Sequence, residues 1–194
     1  MIFQDRAYSV LVVSSSERFS RSLSSLLPET EYYPIHFSTS AAAAKRILLD
    51  RSYDLVLINT PLSDDFGTRL AIDVCSEKGS VALLFVKSEL YSEIYSKTVD
   101  YGVFTVSKPT SSQMLSQALN WMCAARERLR RMEKKTLSIQ EKMEEIRLVN
   151  RAKWMLIDRL KMTEEDAHHY IEKQAMDRCV TRREIAENII KTYQ

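Results

Sequence analysis

The residues with chemistry in this chain sit where short apolar runs end. Ser14, Ser15 and Ser16 follow Val10–Val13, and Asn59 and Thr60 follow Leu55–Ile58. Lys87 follows Val81–Val86, and Ser107-Lys108-Pro109 closes Val103–Val106. Hydroxyls, an amide and an ammonium make hydrogen bonds and can hold a small anion. They are poorly suited to more. Mg²⁺ wants hard carboxylate oxygens, and an amide oxygen is a far weaker nucleophile than a carboxylate. No Gly-rich phosphate loop and no nucleophile elbow is present. His168 and His169 are adjacent, so on a helix they face different sides and share no metal. The residues therefore predict no enzyme, no metal site and no cofactor.

These residues need a scaffold that brings strand ends together. The runs Tyr8–Val13, Tyr33–Phe37, Leu55–Ile58, Val81–Val86 and Val103–Val106 have the length of buried strands. Helix-length segments separate them: Glu17–Leu27, Ala41–Leu49, Thr68–Ser76 and Glu89–Tyr101, with Ser16 and Ser40 as N-caps of the first two. Continuous apolar strands imply burial on both faces, and strand–helix alternation implies a parallel sheet between helices. The expected fold is α/β, a flavodoxin-like doubly wound domain. Its functional crevice lies at the carboxyl ends of the strands.

The back of the chain follows another pattern. All three glycines and all four prolines lie at or before Pro109. From Ser111 the sequence predicts a long helix, rich in strong helix formers. Met122, Leu129, Thr136, Met143 and Asn150 recur every seven residues, with Ala125, Met132, Ile139 and Ile146 at the complementary spacing. That is the a/d seam of a coiled coil, and it predicts a homodimer; the alternative is an amphipathic helix packed on its own domain. After Ile146 the apolar face broadens to Val149, Ala152, Met155, Leu156 and Leu160, which suits a helical bundle. Thr163 reads as an N-cap followed by Glu164, Glu165 and Asp166, then the face Ala167, Tyr170, Ile171, Gln174, Ala175. Thr181 and Glu184 open a last helix as a capping box, with Ile185, Ala186, Ile189 and Ile190 buried.

With 194 residues the chain holds one full domain and a smaller one. No apolar run reaches the roughly 18 residues of a membrane span. Met1–Tyr8 lacks a secretory h-region. Cys75, Cys123 and Cys179 form no close pair and read as reduced thiols, so a cytoplasmic setting is expected. From Arg126 onward 17 Lys and Arg face 13 Asp and Glu, a basic tail behind a slightly acidic front. Such asymmetry points to an anionic partner.

The order of apolar runs, with Lys108-Pro109 closing the last, resembles the receiver domain of two-component response regulators over about Tyr8–Cys123. The resemblance implies an acidic Mg²⁺-holding pair, a nucleophilic Asp, a hydroxyl and a Lys. In this chain those positions fall on Ser14 and Ser15, on Asn59, on about Val86, and on Lys108. The switch aromatic falls on Thr105, beside Phe104. Only Lys108 and Pro109 match, so the resemblance implies a degenerate phosphoacceptor site that takes no phosphoryl group. Lys108, without its usual partners, is expected to pair with Asp64 or Asp65, and Asn59 with Ser14.

The stretch Arg151–Leu160, then Thr163-Glu164-Glu165-Asp166-Ala167, Gln174-Ala175-Met176-Asp177 and Arg183-Glu184-Ile185-Ala186, resembles the ANTAR domain of AmiR/NasR-type transcription antiterminators. The match runs over about Ile139–Tyr193. The organisation implied is a pseudo-receiver domain over 1–122, a coiled-coil linker helix over 123–148, and a three-helix ANTAR domain over 139–194 that overlaps the coil. The resemblance implies a dimeric bacterial regulator that binds hairpins of leader mRNA and prevents terminator formation, its receiver governed by a partner protein or small ligand. RNA-binding candidates are Arg151, Lys153, Arg159, Lys161, Arg178, Arg182 and Arg183. Trp154 stands where the family usually has Gly; it is expected to pack on the next helix or to stack on a base. Tyr170 is expected in the core. A dimeric protein scaffold that has lost RNA binding is the alternative.

Overall fold

The computed structural model describes residues 7–76 and 79–193. Most of Met1–Tyr8, on which the absence of a leader was read, lies outside them. The chain divides into two compact units, Met1–Arg131 and Met132–Gln194.

The first unit alternates as the apolar runs require: β1 (Tyr8–Ser14), α1 (Glu17–Ser24), β2 (Tyr32–Ser38), α2 (Ala41–Asp50), β3 (Leu55–Asn59), α3 (Thr68–Ser76), β4 (Val81–Lys87), α4 (Tyr91–Thr98) and β5 (Phe104–Lys108). The five strands are all parallel, in the order β2-β1-β3-β4-β5. One face of the sheet (Val10, Val12, Leu55, Leu57, Leu83, Phe85) packs on Leu23 of α1 and on Leu115, Leu119 and Met122 of α5 (Ser112–Leu160). The other (Leu11, Val13, Val56, Ile58, Leu84) packs on Ala41, Ala44, Leu70, Val74 and Ile94 of α2, α3 and α4. Each fully buried leucine stabilises such a core by about 2 kcal/mol. This is the flavodoxin-like doubly wound fold.

Ser16 and Ser40 cap α1 and α2, accepting from the amides of Phe19 and Ala43. α1 ends at Ser24 rather than Leu27, although Leu27 is still buried. The expected helix Glu89–Tyr101 is instead α4 between two 3₁₀ turns, Ser88–Leu90 and Val99–Tyr101. β2 is an edge strand, and Tyr33 and Phe37 are exposed; burial on both faces holds for β1, β3 and β4 but not here.

The seam divides in use. Met122 has no exposed surface and belongs to the core of the first unit, and Ala125 and Leu129 pack against that core. A two-stranded coil cannot also claim Met122. Met132, Ile139, Met143 and Ile146 are exposed, as are Thr136 and Asn150.

In the second unit the end of α5 meets α6 (Glu164–Asp177) and α7 (Arg182–Tyr193) around Ala152, Leu156, Ala167, Ile171, Ile185, Ala186, Ile189 and Ile190. Thr163 caps α6, accepting from the Asp166 amide. Thr181 accepts from the Glu184 amide at 3.2 Å, while its hydroxyl lies 3.3 Å from the Glu184 carboxylate. Two expected core residues lie outside. Leu160 and Tyr170 are about two-fifths exposed, each at the edge of its helix's buried stripe. α6 ends in a full Schellman motif, with Val180 N–H donating to Ala175 O and Cys179 N–H to Met176 O. Cys179 sits at φ 52°, in the left-handed region.

Candidate functional site

Strand register decides which polar residues meet at the crevice. Ser14 of β1 lies opposite Asn59 of β3, and Lys87 of β4 opposite Lys108 of β5. Asn59 Nδ2 donates to Ser14 Oγ at 3.0 Å, and Ser14 Oγ also accepts from Ser16 N–H at 3.1 Å. Lys108 Nζ donates to Asn59 Oδ1 at 2.7 Å and to the Thr60 carbonyl. Thr60 in turn donates from Oγ1 to Phe85 O at 2.7 Å. The crevice floor is thus a closed chain, Ser14–Asn59–Lys108–Thr60, whose one formal charge is the ammonium. Ser15 stands at the rim, donating to Pro61 O at 3.2 Å. Val86 is fully buried and offers no hydroxyl.

Lys108 does not pair with Asp64 or Asp65. Asp64 accepts from the Ala41 and Ala42 amides at 2.7 and 2.9 Å, capping α2. Those amides hold its carboxyl below the usual range. Asp65 accepts from Gly67 N–H at 2.6 Å. Gly67, at φ 99°, leaves no room for a side chain: a Cβ would come within 2.9 Å of Ile58 Cγ2. The acids of this loop therefore serve backbone amides, Asp64 those of α2 and Asp65 that of its own loop. Burial pushes the Lys108 ammonium below the usual lysine pKa, and the Lys87 charge adds to this.

Sequence reasoning missed a cluster at the other end of the sheet. Asp54, just before β3, accepts from Ser9 N–H and Ser9 Oγ at 3.0 and 3.1 Å. Its other oxygen takes Arg126 Nε at 2.9 Å and an Arg130 guanidinium nitrogen at 2.8 Å. Arg130 also lies over the Tyr8 ring, 5.2 Å from its centroid. The signal was present: one acid abutting an apolar run, and two arginines four apart on one helix.

The seven RNA candidates separate into groups. Arg151, Arg159 and Lys161 line one open cavity of the second unit, together with Trp154, Asp158 and Tyr193. Lys153 and Arg182 line another, with Asn150 and His168. Lys153 is mostly covered and pairs with Glu164 at 2.9 Å. Arg182 reaches Glu145 and Glu172, and Arg183 reaches Glu187 at 3.0 Å. Arg178 is the C-cap of α6 and lines neither cavity. Trp154 does not pack on the next helix: it is 71% exposed, while Ala152 and Leu156 on either side of it are buried.

Residues 138–190 match the family model of the ANTAR domain. The first unit has the receiver fold, as its likeness to solved receivers shows. The signal receiver domain of an HD domain-containing protein from Pseudomonas fluorescens Pf-5 superposes with a TM-score of 0.59 at 24% identity, covering 68% of this chain and 97% of that one. The receiver domain of the TMAO respiratory system response regulator TorR gives 0.53 at 18%, covering 61% and 98%. The chain thus carries an ANTAR domain behind a domain of receiver fold, the organisation of ANTAR response regulators. The transcriptional regulatory protein PdtaR of Mycobacterium tuberculosis is similar along nearly the whole length: 24% identical over 185 residues, covering 94% of this chain and 89% of that protein.

Proposed function

We propose that this chain is an RNA-binding antitermination regulator whose receiver domain works without phosphorylation. The observation that carries the first half is the ANTAR match over 138–190, joined to a basic surface on the helices concerned. As a dimer it would present two modules to paired hairpins of a leader mRNA, prevent the terminator stem from forming, and let polymerase read through. Unpaired loop bases are where RNA sequence is accessible, and cationic side chains supply the salt-dependent grip on phosphate. The setting is the bacterial cytoplasm.

The second half rests on the crevice. Ser14, Ser15 and Asn59 supply neither the charge that holds Mg²⁺ nor a carboxylate to phosphorylate. The Asn59–Lys108 hydrogen bond fills the place such chemistry would use. Control then falls to a partner protein or small ligand at the receiver. A second reading, a dimeric scaffold without RNA binding, draws on the ion pairs that occupy Lys153, Arg182 and Arg183.

Titrating a paired-hairpin leader RNA at several salt concentrations separates the two. Antitermination expects affinity that falls steeply with salt and drops when the loops are scrambled. A flat salt response, or equal affinity for scrambled loops, leaves the scaffold.

A further inference from the structure

Trp154 is exposed in a way that folding does not explain. It stands on α5 between Ala152 and Leu156, both fully buried, yet 71% of its own surface is exposed. An indole left in water forgoes the stabilisation its burial would bring. Around it the chain forms an open cavity of about 760 Å³, lined by Arg151, Asp158, Arg159, Lys161 and Tyr193. Arg151 and Lys161 make no ion pair among the described residues, and Arg159 has only Asp158 at 3.7 Å. Lys161, at φ 55°, follows the end of α5 in the left-handed region and lines the cavity. A flat apolar ring edged by three cations and one acid matches a partner that is itself flat and anionic. Met155, Ile157 and Met162 also line the cavity, as partly buried side chains packed on the helical core; the three cations around the one exposed ring favour an anionic partner over a protein helix.

We propose that Trp154 is a stacking platform for an unpaired nucleobase of RNA, with Arg151, Arg159 and Lys161 holding the flanking phosphates. The assignment rests on the RNA-binding reading and adds where and how a base is held. Stacking on an aromatic ring tolerates any base, so the site grips the strand, and sequence is read elsewhere.

The chain has two tryptophans, so Trp121→Phe leaves Trp154 as the sole indole of the full-length protein. Its fluorescence is followed as hairpin RNA with a fixed stem and a randomised loop is added. The same stem with an abasic loop is the control, and anisotropy of labelled RNA reports binding independently. Base-containing loops should quench the indole and abasic loops should not. Trp154→Ala should weaken binding about tenfold or more, and Trp154→Phe only a few-fold. Circular dichroism checks that both variants keep their helices. Salt-dependent binding with an unquenched indole and unchanged Trp154→Ala affinity overturns the stacking site and leaves RNA binding intact. Equal quenching by abasic loops also overturns it, since the backbone alone then suffices. If no RNA is bound under any condition, both readings fall.

Discussion

Asp54 and Arg130 lie 2.8 Å apart, and this ion pair ties the start of β3 to α5. The carboxylate is nearly enclosed, with 11% of its side chain exposed, and it also holds Arg126 and Ser9. Desolvation pushes its pKa up, but the hydrogen bonds from Arg126 and Ser9 and the Arg130 charge outweigh this, so the net shift is downward. Its stabilisation is therefore complete above the unfolded value near 3.8 and is lost as pH falls through the lower folded value. Asp54→Ala leaves two arginines without their acid and should cost about 3–5 kcal/mol in urea unfolding. Asp54→Asn should flatten the acid limb of the stability curve below pH 4 or so; an unchanged limb would count against the clasp.

Lys108 gives the opposite limb. Its folded pKa lies below the ordinary 10.5, so in the window between the two the unfolded chain binds more protons, and stability rises with pH. Tyr8, raised to about 12 by burial, works the other way above about pH 10. Comparison with Lys108→Met isolates the lysine. That variant leaves Asn59 Oδ1 short of a donor, at about 1–3 kcal/mol, less what is recovered by removing a desolvated ammonium. Its deficit should widen as pH climbs through the window that ends at the ordinary 10.5; a constant gap would show that Lys108 titrates as if in water.

Treatment with acetyl phosphate and Mg²⁺ should leave the intact mass unchanged, for the wild type and equally for Asn59→Asp. The single change restores an acid but no metal-holding pair beside Ser14 and Ser15. A phosphoryl adduct on the wild-type chain, detected by mass spectrometry, would refute the phosphorylation-independent reading.

The exposed part of the seam predicts an interface between two copies. Met132 and Ile139 are each about half exposed and touch neither core. Met132→Lys with Ile139→Lys should convert dimers to monomers in sedimentation while leaving the unfolding of either unit nearly unaltered. Sedimentation as a dimer after both changes would place the interface elsewhere.

Cys179 occupies the left-handed position of the Schellman motif that glycine usually fills. Cys179→Gly should raise the stability of the helical unit by about 1 kcal/mol, read from thermal unfolding. No change or a loss would mean that Cys179's own contacts matter more than its backbone.

The sequence made the strands legible because parallel strands buried on both faces leave continuous apolar runs, and β1, β3 and β4 are of that kind. β2 was harder to read because an edge strand keeps one side partly wet. Caps at Ser16, Ser40, Thr163 and Thr181 were readable from local chemistry alone. The seam was only half readable: heptad spacing cannot tell whether Met122 meets another chain or its own sheet, since both bury the same stripe. Side-chain competition was hidden too. Nothing in the order of residues says that Asp64 prefers the α2 amides to Lys108, or that Trp154 stays in water while its neighbours are buried.

An acyl phosphate hydrolyses unaided, so a receiver that carries one also carries its own timer. The chain from Ser14 through Asn59 to Lys108 contains nothing that expires. On this reading the duration of a response is set by how long a bound molecule resides, and a signal ends by departure, not by decay.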